Sequence, residues 1–367
     1  MNRWLKGLRV AVTAAACGLA LAACQKSETK TEAPAAAAAG KEFTIGWTIY
    51  AGWMPWAYAE QAGIVKKWAD KYDVKIKVVQ VNDYVESLNQ YTAGKLDGVT
   101  AASMDALTIP AAAGKDTTAL IVGDYSNGND GLILKNGATL ADVKGRPVNL
   151  VENSVSHYLL ARALETGGLK MTDVKVVNTS DADIVAAFSA KETQAVVAWN
   201  PQLSEIAKQP GAKLVFDSSK VPAEILDTLI VSTETLKANP NLGKALVGIW
   251  YETLAIMQKD DAAGKAAREA MAKLSGADLA GYDAQLKTTF MYYDPKAALA
   301  FMNSPELVAG NDRVRKFSFA TGLFGQGAKS VDDIGLEFPG GKVLGSATNV
   351  KLRYDPTYVA MAADGSL

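Results

Sequence analysis

Along the chain, short apolar runs alternate with stretches of helical spacing from Glu42 onward, the signature of strands and helices interleaved in an α/β fold. Residues 43–47 read as a first strand. Pro55 then opens a helix at its first position, where a missing N–H costs nothing, and the spacing carries that helix to Tyr72. Residues 74–81 (VKIKVVQV) alternate as a half-buried strand, 84–93 return to helical spacing, and 98–101 form a short buried strand before a helix from about Met104. Two more strands, 119–122 and 131–134, flank the Gly- and Asn-rich stretch 127–131, which reads as a crossover between lobes. A second series follows: strand 147–151, helix 154–166, strand 174–177, helix 182–189, strand 195–198 and a strand near 213–216. The apolar run 226–231 returns the chain to the first lobe. The remainder to about Gly325 is mainly helical, with Leu246, Trp250, Leu254 and Met257 forming the core stripe of a helix over 242–257. After Gly340 the chain is turn-rich, with one or two edge strands.

This pattern divides the folded part into lobe 1, residues 41–130 plus 226–367, and lobe 2, residues 131–225. Length agrees, because single cores seldom grow past roughly 250 to 300 residues and the chain has 367. Two lobes imply a cleft. The 38 Lys and Arg nearly balance 39 Asp and Glu, so no basic excess exists to neutralise a phosphate backbone, and no nucleic-acid partner is expected. One His and two Cys, both before residue 25, leave almost no material for Cys/His metal sites, thiol nucleophiles or Ser-His relays. No metal, no cofactor and no catalysis are expected.

The first 23 residues read as a secretory signal: Arg3, Lys6 and Arg9 without an acid, then an apolar run from Val10 to Ala23 that is too short to span a membrane. Its end, Leu21-Ala22-Ala23-Cys24, resembles the bacterial lipoprotein box, which implies that Cys24 becomes an acylated first residue and a lipid anchor. Residues 24–40 then read as that anchor and a flexible tether. Removal of 1–23 leaves 35 basic against 39 acidic side chains, a mildly acidic exported chain.

In open α/β sheets the crevice lies at the carboxyl ends of the strands, so residues just beyond each strand are the ligand candidates. After the first strand come Trp47, Tyr50, Trp53 and Trp56, four aromatics within ten residues; they read either as a stacking wall for a flat or cationic ligand or as a turn packed on itself. Ser103 and Asp105 follow the strand ending near Ala101, and Asp124 follows another. Each fits a ligand contact; Ser103 also fits a helix cap, and the acids a helix-dipole or loop role. Glu152 and Ser154 stand at the mouth of a helix after 147–151, where a carboxylate repels an anion and attracts a cation. Trp199 ends another strand, and Asp227 lies where the chain re-enters lobe 1.

These stretches carry a resemblance. IGWTIYAGWMPWAYAEQAGI, AGKLDGVTAASMDAL, ENSVSHYLLARAL and AVVAWNP together resemble the nitrate, sulfonate and taurine class of ABC-transporter substrate-binding proteins, best over residues 43–231. The resemblance implies a two-lobed periplasmic-binding-protein fold of type II kind with a helical C-terminal extension. It implies a lipid-anchored extracytoplasmic monomer that closes on a solute and delivers it to ABC permease and ATPase subunits. Where anion-binding members present hydroxyl and Gly residues, this sequence offers Glu152, Asp105 and several Trp. It looks closest to the branch associated with urea carboxylase, whose solutes are urea- or guanidine-like. A guanidinium has a flat face for Trp and a fork of donors for carboxylates, so guanidine is the favoured solute. A sulfonate, nitrate or thiamine-pyrimidine precursor, and a sensor lipoprotein outside transport, remain the alternatives.

Overall fold

Two mixed sheets organise residues 40–367, which are the residues that the computed structural model describes. The expected signal segment, the Cys24 expected to carry a lipid and the expected tether up to residue 39 lie outside them. Chain order gives strands β1 (Glu42–Trp47), β2 (Lys75–Gln80), β3 (Gly98–Ala102), β4 (Thr117–Ser126), β5 (Asp130–Lys135), β6 (Pro147–Leu150) and β7 (Lys175–Asn178). They continue with β8 (Ala195–Trp199), β9 (Ala212–Asp217), β10 (Leu226–Ser232), β11 (Thr289–Met291), β12 (Gly335–Phe338), β13 (Lys342–Leu344) and β14 (Val350–Tyr354). The larger sheet runs β13-β12-β14-β4-β10-β3-β1-β2, with β11 also on β4; the smaller runs β7-β6-β8-β5-β9.

β1, β2 and β3 run parallel, whereas β10 lies antiparallel between β3 and β4. The smaller sheet repeats this: β6 is parallel to β7 and β8, and β5 is antiparallel to β8 and β9. The carboxyl ends of β3, β4 and β8 therefore share an edge with the amino ends of β10 and β5. That mixture decides which residues meet in the cleft.

Three differences from the sequence reading have local causes. The helix expected over 55–72 is two helices, Met54–Gln61 and Ile64–Lys71, broken where Gly63 takes φ +73°, a conformation open to glycine and closed to most side chains. Ser103 is the first helical residue rather than the cap; Ala102 holds the cap position with no side-chain bond. The tail strands are not all at the edge: β14 inserts between β12 and β4, pairing parallel with both, because Leu352 and Tyr354 carry enough buried apolar surface for an interior place.

The core of the larger sheet includes Trp56 stacked on Trp250 at 5.5 Å, the latter from the helix Pro240–Met257. Gly123 is required there, since a Cβ would lie 2.7 Å from the Trp250 ring. It is also the extra residue of a bulge in β4: Thr228 pairs with Val122, yet Asp227 pairs with Asp124. Without the bulge Gly123 would face Asp227.

The two crossings between sheets touch each other. Ser126, at the end of β4, bonds Ser218, just past β9, at 2.6 Å, and Ser218 accepts the Gly128 amide at 2.8 Å. Nearby, Glu224 is buried between Arg162 of the helix Val155–Thr166 and Arg313 of the helix Pro305–Ala320, at 2.9 and 3.1 Å, and accepts the Tyr158 hydroxyl.

Candidate functional site

Where the strand ends converge lies a small cavity, partly open to solvent, lined by Tyr50, Trp53, Tyr84, Ala102, Asp130, Val155, Trp199, Ile225 and Asp227. The larger sheet and its connections supply most of this wall; Asp130 begins β5, Val155 begins a helix of the smaller sheet, and Trp199 ends β8. Four aromatic rings make a continuous chain across the cleft. Tyr50 meets Trp53 edge-on at 5.0 Å, Trp53 meets Tyr84 at 5.7 Å, and Tyr84 meets Trp199 edge-on at 5.7 Å. A second contact crosses beside it, the Tyr84 amide donating to Asp181 at 3.4 Å from the other sheet.

The polar side of the site is four aspartates. Asp130 and Asp227 line the cavity directly. Asp124 lies behind Asp227 on a smaller void whose lining shares Trp53 and Asp227 with the first. Asp105 sits behind Tyr84, whose hydroxyl donates to its Oδ2 at 2.7 Å and accepts the Ala102 amide at 3.0 Å. All four are buried. Tyr50 donates to Asp124 Oδ1 at 2.9 Å, and Ser126 donates to Asp130 Oδ2. The remaining oxygens Asp105 Oδ1, Asp124 Oδ2 and Asp130 Oδ1, together with the indole N–H of Trp53, are buried without a protein partner.

Burial pushes Asp105, Asp124 and Asp130 up to about 7, against an ordinary value of 3.8, with the Tyr84, Tyr50 and Ser126 hydroxyls pulling the other way. Asp227 is raised well above its ordinary value, by burial first and then by the charges of Asp124 and Asp130. No lysine or arginine is among the groups that act on these four acids. Buried carboxylates are normally paired, because an unpaired charge in low dielectric is costly. Among the described residues no basic partner is found for them; Asp130 and Asp227 face the main cavity, Asp124 and Asp227 the smaller void, and Asp105 stands behind Tyr84.

A family model described as NMT1/THI5 like matches residues 60–260, more than half of the chain. The chain belongs to the NMT1/THI5-like family. Among individual relatives it is 38% identical over 81 residues to a protein of Escherichia coli (strain K12) named for aliphatic sulfonates binding, covering 22% of this chain and 25% of that protein. It is 28% identical over 107 residues to the taurine-binding periplasmic protein of the same organism, covering 28% and 33%. The aligned stretches thus span well under half of these relatives' lengths. The alkanesulfonate-binding protein SsuA of Xanthomonas axonopodis pv. citri, solved bound to MOPS, superposes with a TM-score of 0.65 at 19% identity over 78% of this chain and 94% of that one. That likeness shows the periplasmic-binding-protein fold.

Within this NMT1/THI5-like chain the predicted residues separate into two groups. Tyr50, Trp53, Trp199 and Asp227 come together on the cavity wall, with Asp124 and Asp105 immediately behind it. The others do not reach it. Trp47 is core beneath the sheet, because it is still the last residue of β1 and the strand has not yet opened into the cleft. Ser103 is buried in the first turn of its short helix and is absent from the lining. Ser154 caps the helix Val155–Thr166, accepting the Ser156 amide at 3.1 Å and donating to the Val151 carbonyl at 2.8 Å, so its hydroxyl is already committed. Glu152 is exposed and outside the lining, since the loop turns through Asn153 at φ +66° before the helix begins.

Two wall residues escaped the sequence reading. Tyr84 follows β2 and was available to the rule of reading beyond strand ends, but its helical spacing hid it. Asp130 opens β5 directly opposite Trp199. A rule that reads only carboxyl ends passes over it, because β5 enters the cleft edge with its amino end.

Proposed function

We propose that this protein is the extracytoplasmic solute-binding component of an ABC importer and that it captures a small planar cation, guanidinium being the favoured solute. The single observation that carries the reading is a pair of buried aspartates, Asp130 and Asp227, on the wall of an aromatic cavity, with Asp124 and Asp105 buried behind it and no basic side chain among the described groups acting on the four. A guanidinium supplies what those oxygens lack, several N–H donors in one plane with a delocalised charge. Its faces suit the rings of Trp53 and Trp199, which attract a desolvated cation. The space left among these side chains is about 20 Å³, room for roughly one water, so the solute has few atoms and enters only as the sheets part.

Binding without catalysis rests on kinship with proteins named as binding proteins. Capture works by population shift: Trp199, Val155 and Asp130 come from one sheet and Tyr50, Trp53 and Tyr84 from the other, so a solute gains its full set of contacts only when the sheets approach. Importer association and an extracytoplasmic location rest on kinship with proteins named as periplasmic; the lipid anchor rests on Cys24, and a urea-carboxylase context on the sequence resemblance.

Kinship also favours a second reading, a sulfonate, because relatives are named for sulfonates and taurine. An oxyanion in this cavity would face Asp130 and Asp227 with no countercharge, which weighs against it. A thermal-shift and calorimetric screen of guanidinium, urea, taurine, nitrate and a thiamine-pyrimidine precursor separates them, since a ligand that binds only the folded state raises its melting temperature. Stabilisation by guanidinium is the expected result. Stabilisation by taurine or nitrate and not by guanidinium would overturn the cation reading.

A further inference from the structure

One monocation does not balance four buried aspartates, and the pair Asp124 and Asp227 is the place where the imbalance is greatest. The bulge at Gly123 sets these two residues opposite each other on β4 and β10, where like charges repel across the ladder. Both are buried. Tyr50 occupies Asp124 Oδ1, Oδ2 has no protein donor, and Asp124 and Asp227 line one small void, where a proton on either acid can be shared with the other. Gly52 closes the remaining approach: a Cβ there would lie 2.6 Å from Asp124 Oδ2 and 2.5 Å from the Tyr50 ring. The titratable groups that bear on the pair are Tyr50 from the turn after β1, Asp130 from β5, Tyr84 from the helix after β2, and Tyr282, Tyr292 and Tyr293 from the C-terminal part. None brings positive charge. Asp105 is held separately by Tyr84, and Asp227 alone of the pair lines the main cavity.

We propose that the ligand-free cleft holds a proton shared between Asp124 and Asp227, and that a captured cation displaces it, so that solute binding is an exchange of cation for proton. This rests on the cation-binding reading above and deepens it. The bookkeeping is simple: one positive charge enters beside Asp227, one proton leaves to solvent, and the net charge of the site is unchanged. Below the titration of the pair the cation must compete with the proton, so apparent affinity falls as pH falls, by up to about tenfold per pH unit. Above it the affinity is flat.

Calorimetric titration of guanidinium chloride into the full chain, in buffers of different ionisation enthalpy, reads the proton directly. Over the pH range in which the pair holds a single proton, the expected result is a buffer-dependent heat corresponding to release approaching about one proton per guanidinium, shrinking towards zero at higher pH once the pair is ionised. In Asp227→Asn the release disappears while weaker binding persists. Carbon-13 NMR of the ligand-free protein gives an independent reading: a carboxyl signal titrating near neutral pH, lost in Asp227→Asn. Guanidinium binding with buffer-independent heats and constant affinity across this range would overturn the exchange and leave the cation site standing. No guanidinium binding at any pH would overturn the cation reading, and the exchange with it.

Discussion

Two buried acidic regions lie close together in this molecule and are built in opposite ways. Near the crossings, Glu224 is 7% exposed and fully served, by Arg162 from one side, Arg313 from the other and the Tyr158 hydroxyl. In the cleft, Asp105, Asp124, Asp130 and Asp227 are as deeply buried, and Asp105, Asp124 and Asp130 are served by the hydroxyls of Tyr84, Tyr50 and Ser126, Asp105 also by the Val155 amide, with no arginine or lysine among the described groups acting on them. The chain therefore places arginine against a buried acid where a permanent contact is needed. No arginine stands in the same place among the described residues of the cleft, and it is this difference on which the proposed capture of a cation rests.

The sharpest way to test this contrast is to neutralise one acid in each region. Asp130→Asn and Asp227→Asn should each weaken guanidinium binding by about 1.5 to 3 kcal/mol, the range for a charge-assisted hydrogen bond, while raising the melting temperature of the ligand-free protein because a buried charge is removed. Glu224→Gln should do the reverse, lowering stability by about 1 to 3 kcal/mol, discounted because Arg313 is half exposed, and changing intrinsic affinity little. Calorimetry and thermal melts of the three variants read both signs. Loss of stability in the cleft variants would mean that those acids are structural after all.

A pH series gives the next largest effect. Asp105, Asp124 and Asp130 keep protons in the fold up to about 7 that the unfolded chain gives up near 3.8. Their raised values make the stabilising contribution full below the unfolded value and lost as pH rises through the folded one. The ligand-free protein should therefore gain on the order of 5 °C in melting temperature between about pH 8 and about pH 6, and saturating guanidinium should flatten that slope. Smaller still is the aromatic contribution: Trp199→Leu should cost about 0.5 to 2 kcal/mol of guanidinium affinity without altering its pH dependence. Glu152→Gln should change affinity by less than about twofold, as its carboxylate is exposed to solvent away from the cavity.

The sequence was legible where its signals are local. Alternation at 74–81 and the apolar stripe of the helix ending at Met257 each specify one element, and both formed close to the expected limits. β4 was read as four residues and spans ten, because Thr117, Thr118 and Asp124 break its apolar run although all three are buried. The site was half legible for a related reason. Tyr50, Trp53 and Trp199 lie just past or at the ends of strands that run into the cleft, and Asp227 lies at a chain crossing, all visible positions. Asp130 depends on β5 being antiparallel, which is a property of the sheet and not of its own residues. Glu152 follows a strand as the sequence suggests, yet lies exposed and off the cavity lining, next to the left-handed Asn153, a backbone turn that its own residue type does not announce.

The place of β14 carries a consequence for biogenesis. The smaller sheet draws all five strands from one uninterrupted stretch, β5 to β9, whereas β4 in the larger sheet gains a parallel neighbour only from Val350–Tyr354, near the carboxyl end. A chain emerging stepwise from its amino end can thus assemble the inserted half early, while the half that carries Tyr50, Trp53 and Tyr84 waits for its last strand. Nascent or truncated molecules would hold one wall of the receptor without the other.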